Sequence, residues 1–107
     1  MNDNEFKTPC ATLNTLRDIS HEDAKKNGWW DEPRNDGELI ALMHSELSEA
    51  LEALRKDDAQ NLAEEMADTI IRILDYCGAR DIDIGLAVWR KTLTNRTRGH
   101  KHGGKKF

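Results

Sequence analysis

The sequence predicts an all-α chain: four helices in a four-helix bundle-like protomer that oligomerises. Three observations carry this. Both prolines, Pro9 and Pro33, lie in the first third, and from Gly37 to Thr97 the only interior glycines are Gly78 and Gly85. Such a run, free of proline and nearly free of glycine, reads as helix after helix. No segment alternates apolar and polar residues as a half-buried strand does. Finally, 37% hydrophobic against 34% charged residues in 107 is thin material for a core, so burying a face against a second copy adds stability that one protomer lacks.

The first helix is expected from about Thr12 to Lys26, with Leu13, Leu16 and Ile19 as its apolar positions. A loop follows over Asn27–Asp36, holding Gly28, Trp29, Trp30 and Pro33. The second helix starts after Asp36, read as its N-cap, with Glu38 in the first turn, and ends near Lys56. The third starts after Asp57 or Asp58 and ends at Gly78 as C-terminal cap. The fourth starts near Asp81 and fades near Thr97. One domain over residues 1–107 is expected, with 1–11 and 99–107 as flexible ends.

Two widely separated cysteines, Cys10 and Cys77, make neither a disulfide framework nor a ligand pair, which fits reduced thiols in a cytoplasmic protein. No stretch approaches the roughly 20 apolar residues of a membrane helix, and Met1–Lys7 lacks a signal-peptide profile. The net charge of −4 conceals an asymmetry. No acidic residue follows Asp83, while Arg90, Lys91, Arg96, Arg98, Lys101, Lys105 and Lys106 all lie in the last 18 positions. An acidic body with a basic end suits either a nucleic-acid binder with a tail or an enzyme that brings carboxylates and phosphate-binding cations to one site.

The second helix carries an apolar stripe of Leu39, Met43, Leu47, Ala50 and Leu54 and a solvent face of Ala41, Ser45, Ser48, Glu52 and Arg55. Glu46 and Glu49 fall on neither. The third helix has a stripe of Leu62, Met66, Ile70, Ile73 and Cys77, broadened by Ala67, Ile71 and Leu74, with Glu65, Asp68, Thr69 and Arg72 as a polar stripe beside it. Each helix thus bears an acidic pair at spacing three, Glu46-x-x-Glu49 and Glu65-x-x-Asp68. Such pairs are common on solvated faces, but carboxylates edged by apolar residues are costly as bare anions unless a cation meets them. Packed antiparallel, the two helices bring the four together. Hard oxygen ligands with no histidine at matching spacing suit Mg²⁺ or Mn²⁺ rather than zinc or a di-iron centre.

These motifs resemble a known family. Glu46-Leu-Ser-Glu49-Ala-Leu-Glu followed by Glu64-Glu65-Met-Ala-Asp68 is similar to the E-x-x-E … E-x-x-D signature of MazG-like nucleotide pyrophosphohydrolases of the all-α NTP pyrophosphatase superfamily. Gly28-Trp29-Trp30-Asp31 and the ending Lys91-x-x-x-Asn95-x-x-Arg98-x-x-Lys101-His102-Gly103 extend the resemblance from about Asn27 to Phe107. It implies Mg²⁺-dependent cleavage of (d)NTPs between the α and β phosphates. Glu46, Glu49, Glu65 and Asp68 would be the metal ligands, and the chain would form a homodimer or homotetramer with sites drawing on more than one copy. The short chain departs from the two-domain MazG proteins, so their cellular roles do not carry over.

A triphosphate brings about four negative charges, so further cations are needed. Lys91, Arg98 and Lys101 are the phosphate-binding candidates, with Asn95 between the first two on one helix face for sugar, phosphate or water. Arg72, one turn beyond Asp68, suits either phosphate or an ion pair with Asp68. Glu46 or Glu49 is the candidate catalytic base. Of the adjacent Trp29 and Trp30, at least one is available to stack on a base, while both also suit capping of the bundle. His44 points away from the carboxylates and suits a base contact or an interface. Trp89 reads as core, Tyr76 and Cys77 as structural, and His100 and His102 as part of a solvated tail. The competing classes are a helical interaction or regulatory protein without catalysis, and a nucleic-acid-binding module. The second is disfavoured because the acidic body repels a polyanion and the tail lacks interleaved aromatics.

Overall fold

A computed structural model describes residues 3–98. They form four α-helices and, among the described residues, no strand: α1 (Asp3–Lys26), α2 (Asp36–Arg55), α3 (Ala59–Ala79) and α4 (Ile84–Thr97). α1 begins at Asp3 rather than Thr12 and runs through Pro9. Proline's fixed φ is compatible with the helix, but its missing N–H leaves one bond unmade and its ring crowds the carbonyl four residues earlier.

The helix boundaries are set by side-chain caps, one of them as expected and two displaced by one or two residues. Asn35, not Asp36, caps α2, its side chain accepting from the Glu38 backbone N–H at 3.1 Å. Asp58 caps α3 through the Asn61 N–H, and Asp83, not Asp81, caps α4 through the Leu86 N–H. At the C-terminal ends, Asp57 and Asp81 take the left-handed conformation usually given to glycine, with φ of 54° and 53°. In both, the next N–H reaches back: Asp58 to the Ala53 carbonyl and Ile82 to that of Cys77. Gly78 therefore does not end α3. It lies inside the helix, where a Cβ would come within 2.6 Å of the His21 Cβ; its glycine is demanded by close packing against α1.

The chain divides into two compact units. One is Leu16–Ile82; the other combines α1 up to Thr15 with the segment from Asp83 onward. In the first, α2 and α3 pack antiparallel along their length. Arg80, just past α3, ties to the start of α2 through Asp36 Oδ1 at 2.8 Å and the Arg34 carbonyl at 3.2 Å. The buried residues are small or few: Leu39, Ala50, Ala53, Leu74 and Cys77, joined by the polar Glu46 and Thr69. In the second unit, Asn14 donates to Asp83 and accepts from the Gly85 N–H, and Gly85 packs directly on the Cys10 backbone. Trp89 is half-buried rather than core, its ring face 5.5 Å from the Arg96 guanidinium.

The apolar stripes are displaced from those read off the sequence. On α2 the buried line runs through Leu39, Glu46, Ala50 and Ala53, while Leu47 and Leu54 are exposed. On α3, Leu74, Cys77 and Thr69 are buried, while Met66, Ile70 and Ile71 are exposed. Several of the larger apolar residues of both helices therefore stay exposed while smaller ones such as Ala50, Ala53 and Cys77 are buried. Both cysteines are free thiols, and burial pushes the Cys77 thiol up, away from reactivity.

Candidate functional site

Antiparallel packing brings Glu46 and Glu49 of α2 against Glu65 of α3. One carboxylate oxygen from each lies within 4.8 Å of the other two, a span that one divalent cation's oxygen shell of about 4–5 Å covers. The fourth acid, Asp68, is exposed and stands outside this trio, on the wall of the adjoining cleft. Glu46 does not sit beside the buried stripe as its spacing suggested. It is at the centre of that stripe, 9% exposed.

Electrostatics separates the three. Burial acts to raise Glu46, but the hydrogen bond from Arg72, hydrogen bonding with Glu65 and Glu49 and the Arg72 charge together outweigh it and hold this carboxyl below the ordinary range. Arg72 Nε donates to Glu46 Oε1 at 2.8 Å, so the arginine pairs with Glu46 and not with Asp68. Glu65 goes the other way. Burial, then hydrogen bonds and like charge from Glu49 and Glu46, push it up to about 7. Its Oε2 is buried and finds no donor among the described residues. Three crowded acids with one orphaned oxygen need either a shared proton or a cation, and all-oxygen donors suit a hard divalent ion. The residues therefore fit a hard divalent cation.

Beside the trio opens a cleft of about 480 Å³, its walls including Leu16 and Ile19 of α1 together with Trp29, Asp68, Arg72 and Asp75. This is within the size of small-molecule sites, about 300–1,000 Å³. The two adjacent tryptophans part company at its edge. Trp30 is half-buried, its indole N–H donated to Asp75 Oδ1 at 2.9 Å. Trp29 is exposed along the cleft, with the Arg72 guanidinium 4.9 Å and the Arg34 guanidinium 5.4 Å from its ring centre. The loop that carries both is held by Gly28 at φ 88° and by Arg34, which donates to the Trp29 carbonyl and pairs with Glu38.

His44 is exposed on α2 and is not brought to the carboxylates. Lys91, Asn95 and Arg98 belong to the unit of α4 and are exposed there. Lys101, His100 and His102 lie outside the described residues. Sequence reasoning passed over Asp75, Arg34 and His21. Asp75 had a signal: Asp68, Arg72 and Asp75 recur at four and three residues, which places them on one side of α3.

Among the described residues no helix is long and apolar enough to cross a membrane. No curated protein and no solved structure matches the chain. A family model does: that of the MazG nucleotide pyrophosphohydrolase domain, over residues 34–102. The matched span takes in both acidic pairs, Arg72 and Asp75, and covers well over half of the 107 residues. With its paired acids gathered on an antiparallel α2–α3 hairpin, the chain belongs to the MazG nucleotide pyrophosphohydrolase family.

Proposed function

We propose that the chain is a Mg²⁺-dependent nucleoside triphosphate pyrophosphohydrolase, cutting (d)NTPs between the α and β phosphates to (d)NMP and pyrophosphate. The observation that carries this reading is the meeting of Glu46, Glu49 and Glu65 around the orphaned Glu65 oxygen, beside a nucleotide-sized cleft. These three acids, with Asp68 on the cleft wall, would hold the cation, and Mn²⁺ would substitute. When bound, the cation supplies the positive charge and Lewis acidity that phosphoanhydride cleavage needs. Glu49, the exposed member, and Glu46, kept ionised by Arg72, are the pair to take the proton of the attacking water. Trp29 offers an exposed ring to a nucleobase, while Trp30 fixes the loop that presents it. Lys91, Arg98 and Lys101, with Asn95, are assigned to the triphosphate on their charge and hydrogen-bonding groups alone.

The working form is a homo-oligomer, with a dimer as its minimal unit. Ile40, Leu47, Leu51 and Leu54 recur along one flank of α2 and are all exposed, as are Met66 and Ile70 on α3. His44 falls on the same α2 flank. Exposed apolar residues grouped in this way mark an interaction surface.

The test is pyrophosphate release, read as inorganic phosphate after coupling to a pyrophosphatase, across the eight common NTPs and dNTPs. Release with Mg²⁺, loss with chelator and recovery on adding Mg²⁺ back are expected. No release from any of the eight at saturating Mg²⁺ overturns the enzymatic reading in favour of an interaction protein.

A further inference from the structure

We propose that Arg72 is a positioning residue of the carboxylate trio: a tethered counter-charge that holds and aims Glu46, and that competes with a divalent cation for the same carboxylate. This rests on the metal-site reading above and adds to it a residue that the acidic motif does not contain.

Three observations converge on Arg72. Its Nε donates to Glu46 Oε1 at 2.8 Å, and the two side chains are only 28% and 12% exposed, so the pair is largely withdrawn from water. Its guanidinium lies 4.9 Å from the centre of the Trp29 ring, which gives the planar group a second anchor and limits the rotamers open to it. It also lines the cleft alongside Asp68 and Asp75. The guanidinium thus stands where the positive charge demanded by three crowded acids is delivered by the protein itself. A cation taken up by Glu46, Glu49 and Glu65 must either share Glu46 with Arg72 or draw it away. In both cases two positive charges meet at short range beside half-buried side chains, where screening by water is reduced and their repulsion is felt.

Two effects of opposite sign follow. Removing the charge of Arg72 leaves Glu46 without its partner, so the chelator-treated protein melts at a lower temperature. Removing the same charge takes away the competitor, so the cation binds more tightly. An arginine that served only the fold would give the first effect without the second. An arginine that served only the phosphates would give neither in the absence of nucleotide. Because the guanidinium leans on Trp29, cation binding also alters the electrostatic surroundings of that indole, and Trp29 becomes an optical reporter of the trio.

The experiment uses the full chain, stripped with chelator and titrated with MgCl₂ or MnCl₂ without nucleotide, followed by thermal melting and tryptophan emission. Arg72→Gln keeps a donor for Glu46 but not the charge. It is expected to lower the melting temperature of the chelated protein and to tighten cation affinity by about threefold or more. Arg72→Lys, which keeps the charge, is expected to hold affinity within about twofold of wild type. In Trp29→Phe the cation still binds but the emission change is lost. A wild-type protein that binds cation while Arg72→Gln binds it equally or more weakly overturns the proposal alone. A wild-type protein that responds to no divalent cation overturns the metal-site reading itself. Should Arg72→Gln not fold, the wild-type and Trp29→Phe titrations decide: a cation-dependent emission change that survives loss of Trp29 refutes the coupling.

Discussion

Trp30 donates its indole N–H to Asp75 Oδ1 across 2.9 Å, and the same oxygen lies 2.9 Å from His21 Nδ1. The His21 and Trp30 rings meet edge to face, 5.5 Å between centres at 74°. One carboxylate oxygen therefore ties the loop after α1 to both α1 and α3. Asp75→Ala leaves two half-buried ring nitrogens without their acceptor and is expected to cost about 2–3 kcal/mol. Urea unfolding measures this, and a red shift of Trp30 emission at low urea locates the loosening in the loop.

Glu65 sets a pH dependence. Its ordinary value is 4.5 and in the folded chain it rises to about 7. Between the two the folded protein holds a proton that the unfolded chain has lost, so stability falls as pH climbs through that window. Glu46 is shifted downward, so its contribution is lost only as pH falls below the ordinary carboxylate value. Chelated protein is expected to melt at a lower temperature at pH 8 than at pH 5.5. The Glu65→Gln variant should show a flatter profile, and identical slopes for the two proteins would exclude the assignment.

Gly85 tests the packing of the other unit. A Cβ there runs into the Cys10 carbonyl oxygen, with the Cys10 Cα and carbonyl carbon at 2.9 Å. These are backbone atoms and cannot swing aside as a flexible side chain does, so Gly85→Ala is expected to destabilise by about 1–3 kcal/mol. The Cys10 thiol donates to the Gly85 carbonyl at 3.4 Å. Thiol labelling should therefore accelerate at Cys10 in this variant and stay slow at buried Cys77.

Glu49→Gln removes a charge from the trio at an exposed position, where the fold does not depend on it. Turnover is expected to drop by about 10²-fold or more with helical content retained. Circular dichroism and the pyrophosphate assay together check this; full activity would remove Glu49 from the site.

Leu47→Glu and Leu51→Glu place charges on the exposed flank of α2 without entering the buried line. Light scattering after size exclusion should give a larger mass for wild type than for the double variant. A wild-type monomer at every concentration would remove the oligomer from the functional reading.

Helix number and type were legible because they depend on local chemistry: the absence of proline after Pro33, and aspartates and asparagines placed to accept the first free N–H groups. The exact caps shifted by a residue or two because a run such as Asp81-Ile82-Asp83 offers two acids. Only the chain reversal decides which becomes the left-handed residue and which the cap. The acidic pairs were legible for the same local reason, spacing along a helix. Which face is buried was not. Leu47 and Leu54 look like core by composition, yet they are exposed, and Glu46 is buried with Ala50 and Ala53.

By itself, then, the sequence determined four helices, two acidic pairs and kinship with a metal-dependent nucleotide-cleaving family, since periodicity, capping and motif spacing are properties of the chain read in order. Tertiary structure alone decided that three of the four acids meet and that Arg72 answers Glu46 rather than Asp68. It also decided that Trp30 is an anchor while Trp29 faces the cleft. Each of these depends on the rotation of one helix about its axis against another. The spacing along either helix does not encode that rotation.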